Sequence, residues 1–312
     1  MAIPNQKNVH DENNATEPFA TRLTDYRQRV NSLLAKQIEL SSIAGEKLTE
    51  ALNYAVLSGG KRLRPIFAHA SAEAAGTPPE VADVIGAAVE LVHAYSLVHD
   101  DLPSMDDDDL RRGQPTVHIQ FDEATAVLVG DALNTMAFEL LADPPGVQIP
   151  AELRCRLIQR LAIAAGAAGM VGGQGLDLAY TSRPVDKQEL EGMFGRKTGK
   201  MIGAAIMMAA DCGTRLSAEQ YSALERYSSL AGLCFQIHDD ILDVTQTEEV
   251  LGKPAGSDIR NDRSTYPARF GLQAAVDRAA QLLQQANDCL DQIGPDADGL
   301  RWLTEYIASR DH

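Results

Sequence analysis

The sequence predicts an all-α protein, and three observations support this fold class. Aromatic residues make up only 5% of the chain, and small apolar residues dominate its 45% hydrophobic content. Such a composition favours closely packed helices over sheets. Apolar residues also recur at three- and four-residue steps along most of the chain, as they do in amphipathic helices. No Asn-Gly or Asp-Gly hairpin lies between alternating strands. The 312 residues therefore predict one large helical domain.

The individual helices are predicted from this periodicity and from the residues that end it. Apolar residues recur from Leu23 to Leu34 and again from Leu48 to Val56, and Gly59-Gly60 then ends the second helix. Pro65 suits the first position of a third helix, because its φ is already fixed and its missing N–H is not needed there. Further helices are predicted over 82–101, 121–142, 151–170, 187–210, 217–243, 265–291 and 299–309.

The N-terminal segment and the overall composition limit the classes of function. Residues 1–18 lack the basic and apolar regions of a signal peptide and are predicted to form a flexible tail, which leaves one domain over 19–312. A net charge of −16 argues against nucleic-acid binding. No segment is expected to approach the roughly 18–20 apolar residues of a membrane span, so membrane insertion is not expected. The four cysteines have no C-x-x-C spacing, which indicates reduced thiols in a cytoplasmic protein.

Two similar acidic motifs follow apolar helical runs far apart in the chain. They are VHDDLPSMD (98–106) and IHDDILD (237–243). In the second motif the first and last aspartates are four residues apart and project from one helical face. In the first motif the aspartates lie near a helix end that Pro103 interrupts. The helix dipole disfavours carboxylates at such an end, so a compensating cation is expected.

The sequence predicts that this cation is magnesium. A solvated acidic turn is the ordinary alternative, but two copies on apolar helices argue against it. A calcium-binding EF-hand loop that began at Asp106 would need Gly at 111 and Glu at 117, where the sequence has Arg111 and Val117. Mg²⁺ takes one or two carboxylates and completes its octahedron with water and phosphate. Two facing motifs can therefore hold several Mg²⁺ ions around one diphosphate.

Basic residues accompany both acidic motifs. SGGKRLRP (58–65) places Lys61 and Arg64 just before a predicted helix, whose positive dipole end adds to an anion site. An arginine pair follows the first acidic motif, and GRKTGK (195–200) adds further cations. Any one of these residues is ordinarily an exposed cation. Together they indicate two anion sites, one bound through metal and one held by Lys and Arg directly.

Six motifs occur in a fixed order: GGKRLRP, ELVHAYSLVHDDLPSMDDDDLRRGQPT, GMVGGQGLD, GRKTG, FQIHDDILD and STYPA. From about residue 20 to the C-terminus the chain resembles the trans-isoprenyl diphosphate synthases, and most closely the bacterial farnesyl diphosphate synthases. The resemblance implies the all-helical isoprenoid synthase fold, with both aspartate motifs facing a central cavity. It also implies a homodimer that uses Mg²⁺, with three ions in the substrate-bound site and Mn²⁺ as a substitute.

The resemblance also assigns roles to individual residues. The implied metal ligands are Asp100, Asp101, Asp106, Asp239, Asp240 and Asp243. The implied contacts to the allylic diphosphate are Arg111, Lys197 and Lys253. The implied pocket for isopentenyl diphosphate contains Lys61, Arg64, His93 and Arg112. The implied catalytic residues are Lys197, Thr198 and Gln236, together with Asp100 and Asp239. Gln174 and Asp177 match a further motif with a supporting role.

The reaction that the resemblance implies is a prenyl transfer. Isopentenyl diphosphate condenses with dimethylallyl and then geranyl diphosphate to give (2E,6E)-farnesyl diphosphate, while an apolar cavity shields the allylic cation from water. Geranyl and geranylgeranyl diphosphate synthases are alternatives that differ in product length. A class I terpene cyclase fits less well, because it has no need for Lys61 and Arg64. A non-catalytic partner subunit would be indicated by the loss of one acidic motif, and both motifs are intact.

Tyr95 and Ser96 are the residues that the sequence connects with product length. Tyr95 precedes Asp100 by five residues, about 7.5 Å along one helix. The resemblance associates an aromatic residue at this position with C15 products, whereas Ser96 is too small to block a growing chain. The alternative is that Tyr95 only packs between helices.

One stretch departs from the family pattern. Where the family usually has Gly-Lys before S/T-T-Y-P, this chain has Asp262-Arg263. Arginine keeps the positive charge but changes the geometry of the contacts it can make.

Overall fold

The computed structural model describes residues 19–40, 45–181, 183–246 and 263–309. Most of these residues are helical, which confirms the predicted fold class. The α-helices are α1 Phe19–Leu40, α2 Glu46–Leu57, α3 Leu63–Ala75, α4 Pro79–Asp100, α5 Val117–Gln120, α6 Glu123–Ala142, α7 Ala151–Ala165, α8 Met170–Tyr180, α9 Lys187–Phe194, α10 Lys200–Cys212, α11 Ala218–Thr245, α12 Tyr266–Phe270, α13 Leu272–Asp291 and α14 Asp298–Ser309. A π-helical turn spans Gly195–Gly199 and a 3₁₀ turn spans Pro295–Ala297.

Small buried residues let the central helices approach one another closely. α4 packs against α3 and α6, and α10 packs against α3 and α11. Ala87, Ala88 and Leu91 of α4 are completely buried. At the other end of the chain, the ring of Trp302 in α14 lies 5.6 Å from the ring of Phe19 in α1. The first and last described helices are therefore in contact.

Three predicted helices are interrupted at glycines. The predicted helix over 151–170 ends at Ala165, and α8 begins as a separate helix after Gly169. The predicted helix over 187–210 contains the π-helical turn, and the predicted helix over 265–291 is divided at Gly271, whose φ is 89°. A positive φ costs glycine nothing, so the chain can turn there without strain.

A short β-hairpin follows the first acidic motif. Leu110–Arg111 (β1) pairs antiparallel with Gln114–Pro115 (β2). The two turn residues, Arg112 and Gly113, have φ values of 52° and 74°. Positive φ at both central residues fits the two-residue turns of tight hairpins. The signal for this hairpin was therefore Arg-Gly rather than Asn-Gly or Asp-Gly.

The membrane expectation requires a correction. Three helical stretches of the described chain are long and apolar enough to cross a membrane by length and composition, namely Pro79–Asp100, Glu123–Ala142 and Ala151–Tyr180. The expectation that no segment approaches such a length was therefore wrong, because a core helix such as Pro79–Asp100 can share the composition of a membrane span. In the most apolar window of the first stretch, 72% of the residues are buried inside the protein.

Candidate active site

The first acidic motif lies at the C-terminal end of α4, where Asp100 is the last helical residue and Asp101 caps the helix. The β-hairpin folds back so that Arg111 meets Asp101. Nη2 of Arg111 donates to Oδ1 of Asp101 at 2.6 Å, and Nε donates to both carboxylate oxygens at 2.8–2.9 Å. The Asp101 side chain is only 3% exposed. Arg111 therefore brings a positive charge to this helix end in the described structure.

Asp100 carries a partly buried carboxyl group close to several cations. Burial raises its pKa to about 6, the charge of Asp106 adds to this rise, and the charges of Lys197, Arg111 and Arg263 oppose it. Its Oδ1 accepts a hydrogen bond of 2.8 Å from Nε2 of Gln174. The site therefore places a partly buried acid close to three positive charges.

Arg263, which stands where the family resemblance implies a lysine, joins Asp106 to Asp177. Nη2 of Arg263 donates to Oδ1 of Asp106, and Nη1 donates to Oδ2 of Asp177 at 2.8 Å. The same oxygen of Asp177 accepts a hydrogen bond of 2.5 Å from Nζ of Lys197. Asp177, which sequence reasoning left in a supporting role, thus links two cations of the site.

Lys197 and Thr198 lie on the π-helical turn between α9 and α10. Two helices approach this turn closely at glycines. A Cβ atom on Gly173 of α8 would lie 2.2 Å from the backbone nitrogen of Lys197, and one on Gly232 of α11 would lie 2.6 Å from Cα of Gly199. Single π-helical turns within α-helices occur frequently at functional sites. The glycines permit the contacts that hold this turn in place.

The second acidic motif lies in the last turns of α11. Oγ1 of Thr198 donates to Oε1 of Gln236 at 2.7 Å, and Nε2 of Gln236 donates to Oδ1 of Asp240 at 3.0 Å. The backbone N–H of Tyr266 donates to the other oxygen of Asp240 at 2.8 Å. Asp240 and Asp243 are buried, and Asp239 is close enough to influence the pKa of Arg64. Side-chain contacts therefore connect the π-helical turn directly with the second motif.

The predicted pocket for isopentenyl diphosphate is a cluster of arginines around His93. Burial lowers the pKa of His93 well below its usual value, and four arginines add to this effect, of which Arg64 and Arg112 contribute most. Burial likewise lowers the pKa of Arg64, whose buried Nε has no hydrogen-bond partner in the described structure. Nη1 of Arg112 donates to the carbonyl of Gly59 at 2.8 Å, which brings the hairpin to the loop that carries Lys61. An anion would complete this cluster.

Tyr95 lies one turn of α4 before His99 and Asp100, as the sequence predicts. Its ring is half-buried and meets the His99 ring edge-on, with 5.7 Å between centroids. Burial, and then the charge of Asp100, raise the pKa of the Tyr95 hydroxyl. Ser96 turns its hydroxyl to its own helix and donates to the carbonyl of His93 at 2.9 Å.

The donor set fits magnesium, although the described residues do not form a complete cage. Among them, no group of three His, Cys, Asp or Glu side chains is arranged around a single point. Mg²⁺ does not require such a cage, since it usually binds one or two carboxylates together with water and phosphate. Desolvation of the Asp100 carboxylate raises its pKa, and a divalent cation bound there would stabilise the charged form.

Three features near the site had no role assigned to them from the sequence. Gly173, Arg62 and the ion pairs of Arg263 become evident only from the structure. The deviation from Gly-Lys did draw attention to Arg263, but not to its partners.

Lys253 lies outside the described residues. Two open surface grooves, of about 530 and 520 Å³, contain none of the predicted site residues.

The fold and these contacts define an all-helical protein whose two acidic motifs are interleaved with arginine and lysine. The chain belongs to the polyprenyl synthetase family, whose sequence model matches residues 45–294. It is 42% identical to a farnesyl diphosphate synthase of Haemophilus influenzae over 94% of this chain and 98% of the relative. It is also 43% identical to geranylgeranyl pyrophosphate synthase 7 of Arabidopsis thaliana, over 94% of this chain and 84% of the relative.

A solved structure extends the likeness to the fold. The Helicobacter pylori geranyltransferase complexed with magnesium and isoprenyl diphosphate matches with a TM-score of 0.78 and 31% identity. The match covers 94% of this chain and 97% of that one. The chain therefore has the all-α isoprenoid synthase fold, as the sequence predicts.

Proposed function

We propose that the chain is a Mg²⁺-dependent prenyltransferase that makes (2E,6E)-farnesyl diphosphate from isopentenyl diphosphate and, in turn, dimethylallyl and geranyl diphosphate. The observation that carries this proposal is the presence of two cationic clusters. Arg111, Lys197 and Arg263 surround the aspartates of the first motif, whereas the second cluster surrounds His93. A condensation of two diphosphates needs two such sites. The curated farnesyl diphosphate synthase at 42% identity supports the same reaction.

The residues of the first cluster act on the leaving group. Arg111, Lys197 and Arg263 offset the negative charge that develops on the allylic diphosphate as its C–O bond breaks. Thr198 and Gln236, which are hydrogen-bonded to each other, lie beside the resulting allylic cation. The double bond of isopentenyl diphosphate then attacks this cation. Loss of a proton to the released diphosphate restores a double bond.

The aspartates of both motifs are the proposed ligands of Mg²⁺, which supplies charge neutralisation at the leaving diphosphate. Three ions in the substrate-bound site and replacement by Mn²⁺ are finer parts of this proposal. Arg111 engages Asp101, and Arg263 engages Asp106. Any metal that binds these two carboxylates must therefore compete with or rearrange those ion pairs.

The proposed product length depends on Tyr95. Tyr95, half-buried one turn before Asp100, supports a C15 limit. The 43% identity to a relative named for geranylgeranyl pyrophosphate keeps a C20 product as the alternative. A C10 product would require a side chain that stops the growing hydrocarbon chain closer to the aspartates than Tyr95.

The proposal also covers the oligomeric state of the protein and its location in the cell. We propose a homodimer of a single domain over residues 19–312, in the cytoplasm and without membrane insertion or nucleic-acid binding. Val127 and Leu128 of α6 are 41% and 54% exposed, which gives this helix an apolar surface suited to a second copy. Sedimentation velocity would distinguish a dimer from a monomer.

Incubation of the purified protein with labelled isopentenyl diphosphate, each allylic acceptor and Mg²⁺ tests the function. Farnesyl diphosphate as the main product is expected, with no turnover in excess EDTA. Geranyl or geranylgeranyl diphosphate as the main product would support the alternatives. A cyclic hydrocarbon formed without isopentenyl diphosphate would identify a cyclase, and inactivity of the chain alone would favour a partner subunit.

A further inference from the structure

Arg62 lies between the two basic residues assigned to isopentenyl diphosphate, yet its side chain points into the protein. The residue is the N-cap of α3 and has a left-handed backbone, with φ 53° and ψ 37°. Left-handed conformations are unfavourable for residues with a Cβ atom, so the surroundings must hold the backbone here. The Arg62 side chain is only 4% exposed.

The guanidinium of Arg62 makes contacts with three helices. Nη1 donates to Oε1 of Glu90 in α4 at 2.8 Å, Nε donates to Oδ1 of Asn31 in α1 at 2.9 Å, and Nη2 donates to the carbonyl of Val56 in α2 at 2.5 Å. Its own carbonyl accepts the N–H of Ile66 at 3.0 Å, which starts α3. One side chain thus fixes the start of α3 relative to the three helices around it.

The charge of Arg62 is balanced within the protein. Glu90 is also only 4% exposed, so the pair is a buried ion pair with a hydrogen bond between its members. Removing one member of such a pair leaves an uncompensated buried charge. By contrast, the buried Nε of Arg64, two residues later, has no hydrogen-bond partner in the described structure. The loop therefore pairs one arginine inside the fold and holds the next beside the His93 cluster.

We propose that Arg62 is the positioning residue of the isopentenyl diphosphate pocket: its buried pair with Glu90 sets the backbone of the loop from which Lys61 and Arg64 reach the diphosphate. The inference rests on the proposed function, because it uses that assignment of the pocket. Glu90 lies three residues before His93 on α4. The same pair therefore fixes the position of the loop relative to α4, the helix that also carries His93.

The test compares Arg62→Lys with a matched arginine elsewhere. Lysine keeps the charge but cannot make three divergent hydrogen bonds from a planar group. We expect the apparent KM for isopentenyl diphosphate to rise about tenfold or more, as for the loss of a hydrogen bond to a charged group. The KM for geranyl diphosphate should stay within about twofold, because the first acidic cluster is untouched. Asn31→Ala, a milder change that keeps the ion pair, should shift the same constant in the same direction by less.

Arg160→Lys is the control variant. Arg160 also joins three helices through a buried carboxylate, with Nε donating to Asp211 at 2.8 Å and Nη2 to Tyr221 at 3.0 Å. Arg160→Lys should lower the melting temperature. It should not change the KM for isopentenyl diphosphate relative to the KM for geranyl diphosphate. Equal changes of both constants in Arg62→Lys, or no change in either Arg62→Lys or Asn31→Ala, would overturn the inference. If Arg64→Ala also left the KM for isopentenyl diphosphate unchanged, the pocket assignment itself would fail.

Discussion

Arg263 joins Asp106 of the first acidic motif to Asp177 of α8 through the two ends of its guanidinium. This contact connects the segment before α12 with both α8 and the loop after α4. It places a cation 157 residues away in sequence beside the first motif. The planar fork of Arg263 reaches both carboxylates at once, whereas the single ammonium group of a lysine is a point charge.

Replacement of Arg263 should therefore reduce turnover. In Arg263→Ala the buried Asp177 and the partly buried Asp106 lose a shared cation and the leaving diphosphate loses a stabilising charge, so kcat should fall by about 10²-fold. Arg263→Lys should recover most of the activity, because it keeps the charge. Steady-state kinetics at saturating Mg²⁺ would measure both effects. Unchanged kcat in Arg263→Ala would show that the ion pairs are only structural.

The metal ligands are tested by Asp100→Ala and Asp239→Ala. Each should lower kcat by about 10²–10³-fold or more, since each removes an acid that acts on the leaving group through the metal. Circular dichroism should show that the helices persist. The control is Asp277→Ala, an exposed aspartate on α13 that accepts only a surface hydrogen bond from Gln273. Near-normal activity of either motif variant would contradict the assignment.

The second diphosphate pocket is tested by Lys61→Ala and Arg64→Ala. If these residues hold isopentenyl diphosphate, each should raise its apparent KM by about tenfold or more and leave the KM for the allylic substrate within about threefold. Initial-rate measurements with each substrate varied in turn would separate the two constants. Lys47→Ala removes an exposed lysine paired with Asp122 and should change neither. A uniform effect on both substrates would mean that the pocket is misassigned.

Product length is tested by Tyr95→Ala. Removal of the half-buried ring leaves apolar space beside His99 that a longer hydrocarbon chain can fill. Chromatography of the dephosphorylated products should show C20 and longer chains, with overall activity largely retained. Tyr306→Ala removes a ring that stacks on Trp302 in α14 and should leave product length unchanged. If the products of Tyr95→Ala still stop at C15, a residue other than Tyr95 limits the product length.

The close contact between α8 and the π-helical turn is tested by a pair of glycine variants. In Gly173→Ala the new Cβ would collide with the backbone of Lys197, so the turn must shift and kcat should fall by about tenfold or more. Gly175, two residues later on α8, has nothing within 4 Å of a built Cβ. Gly175→Ala should therefore keep its activity and raise stability by about 0.4–1 kcal/mol. Equal activity of the two variants would remove any special role for Gly173.

The fold class could be predicted from the sequence for identifiable reasons, whereas the roles of the site residues stay predictions. Helical periodicity is a local property, so it located most of the helices without knowledge of packing, although it missed the interruptions after Ala165 and at Gly271. The acidic motifs are equally local, and Asp100 does lie at the end of α4. What the sequence could not supply is the pairing of charges. Arg111 was expected to bind substrate, and it binds Asp101 in the described structure.

The residues that were missed depend on contacts between distant segments. Nothing near Arg62 in sequence indicates that its partners are Asn31, Val56 and Glu90. The role of Gly173 is likewise set by the backbone of Lys197, which is distant in sequence. A glycine in a helix indicates a close approach but does not identify the approaching segment. Such roles require tertiary structure.

The contact between Phe19 and Trp302 has a practical consequence for spectroscopy. Trp302 is the only tryptophan of the chain. Its indole stacks on Tyr306, 5.2 Å away, and packs against the first turn of α1. Tryptophan fluorescence therefore reports the docking of α14 against the first turn of α1. An unfolding curve followed by tryptophan emission and one followed by activity thus depend on different contacts of the domain, and their coincidence is a test of two-state unfolding.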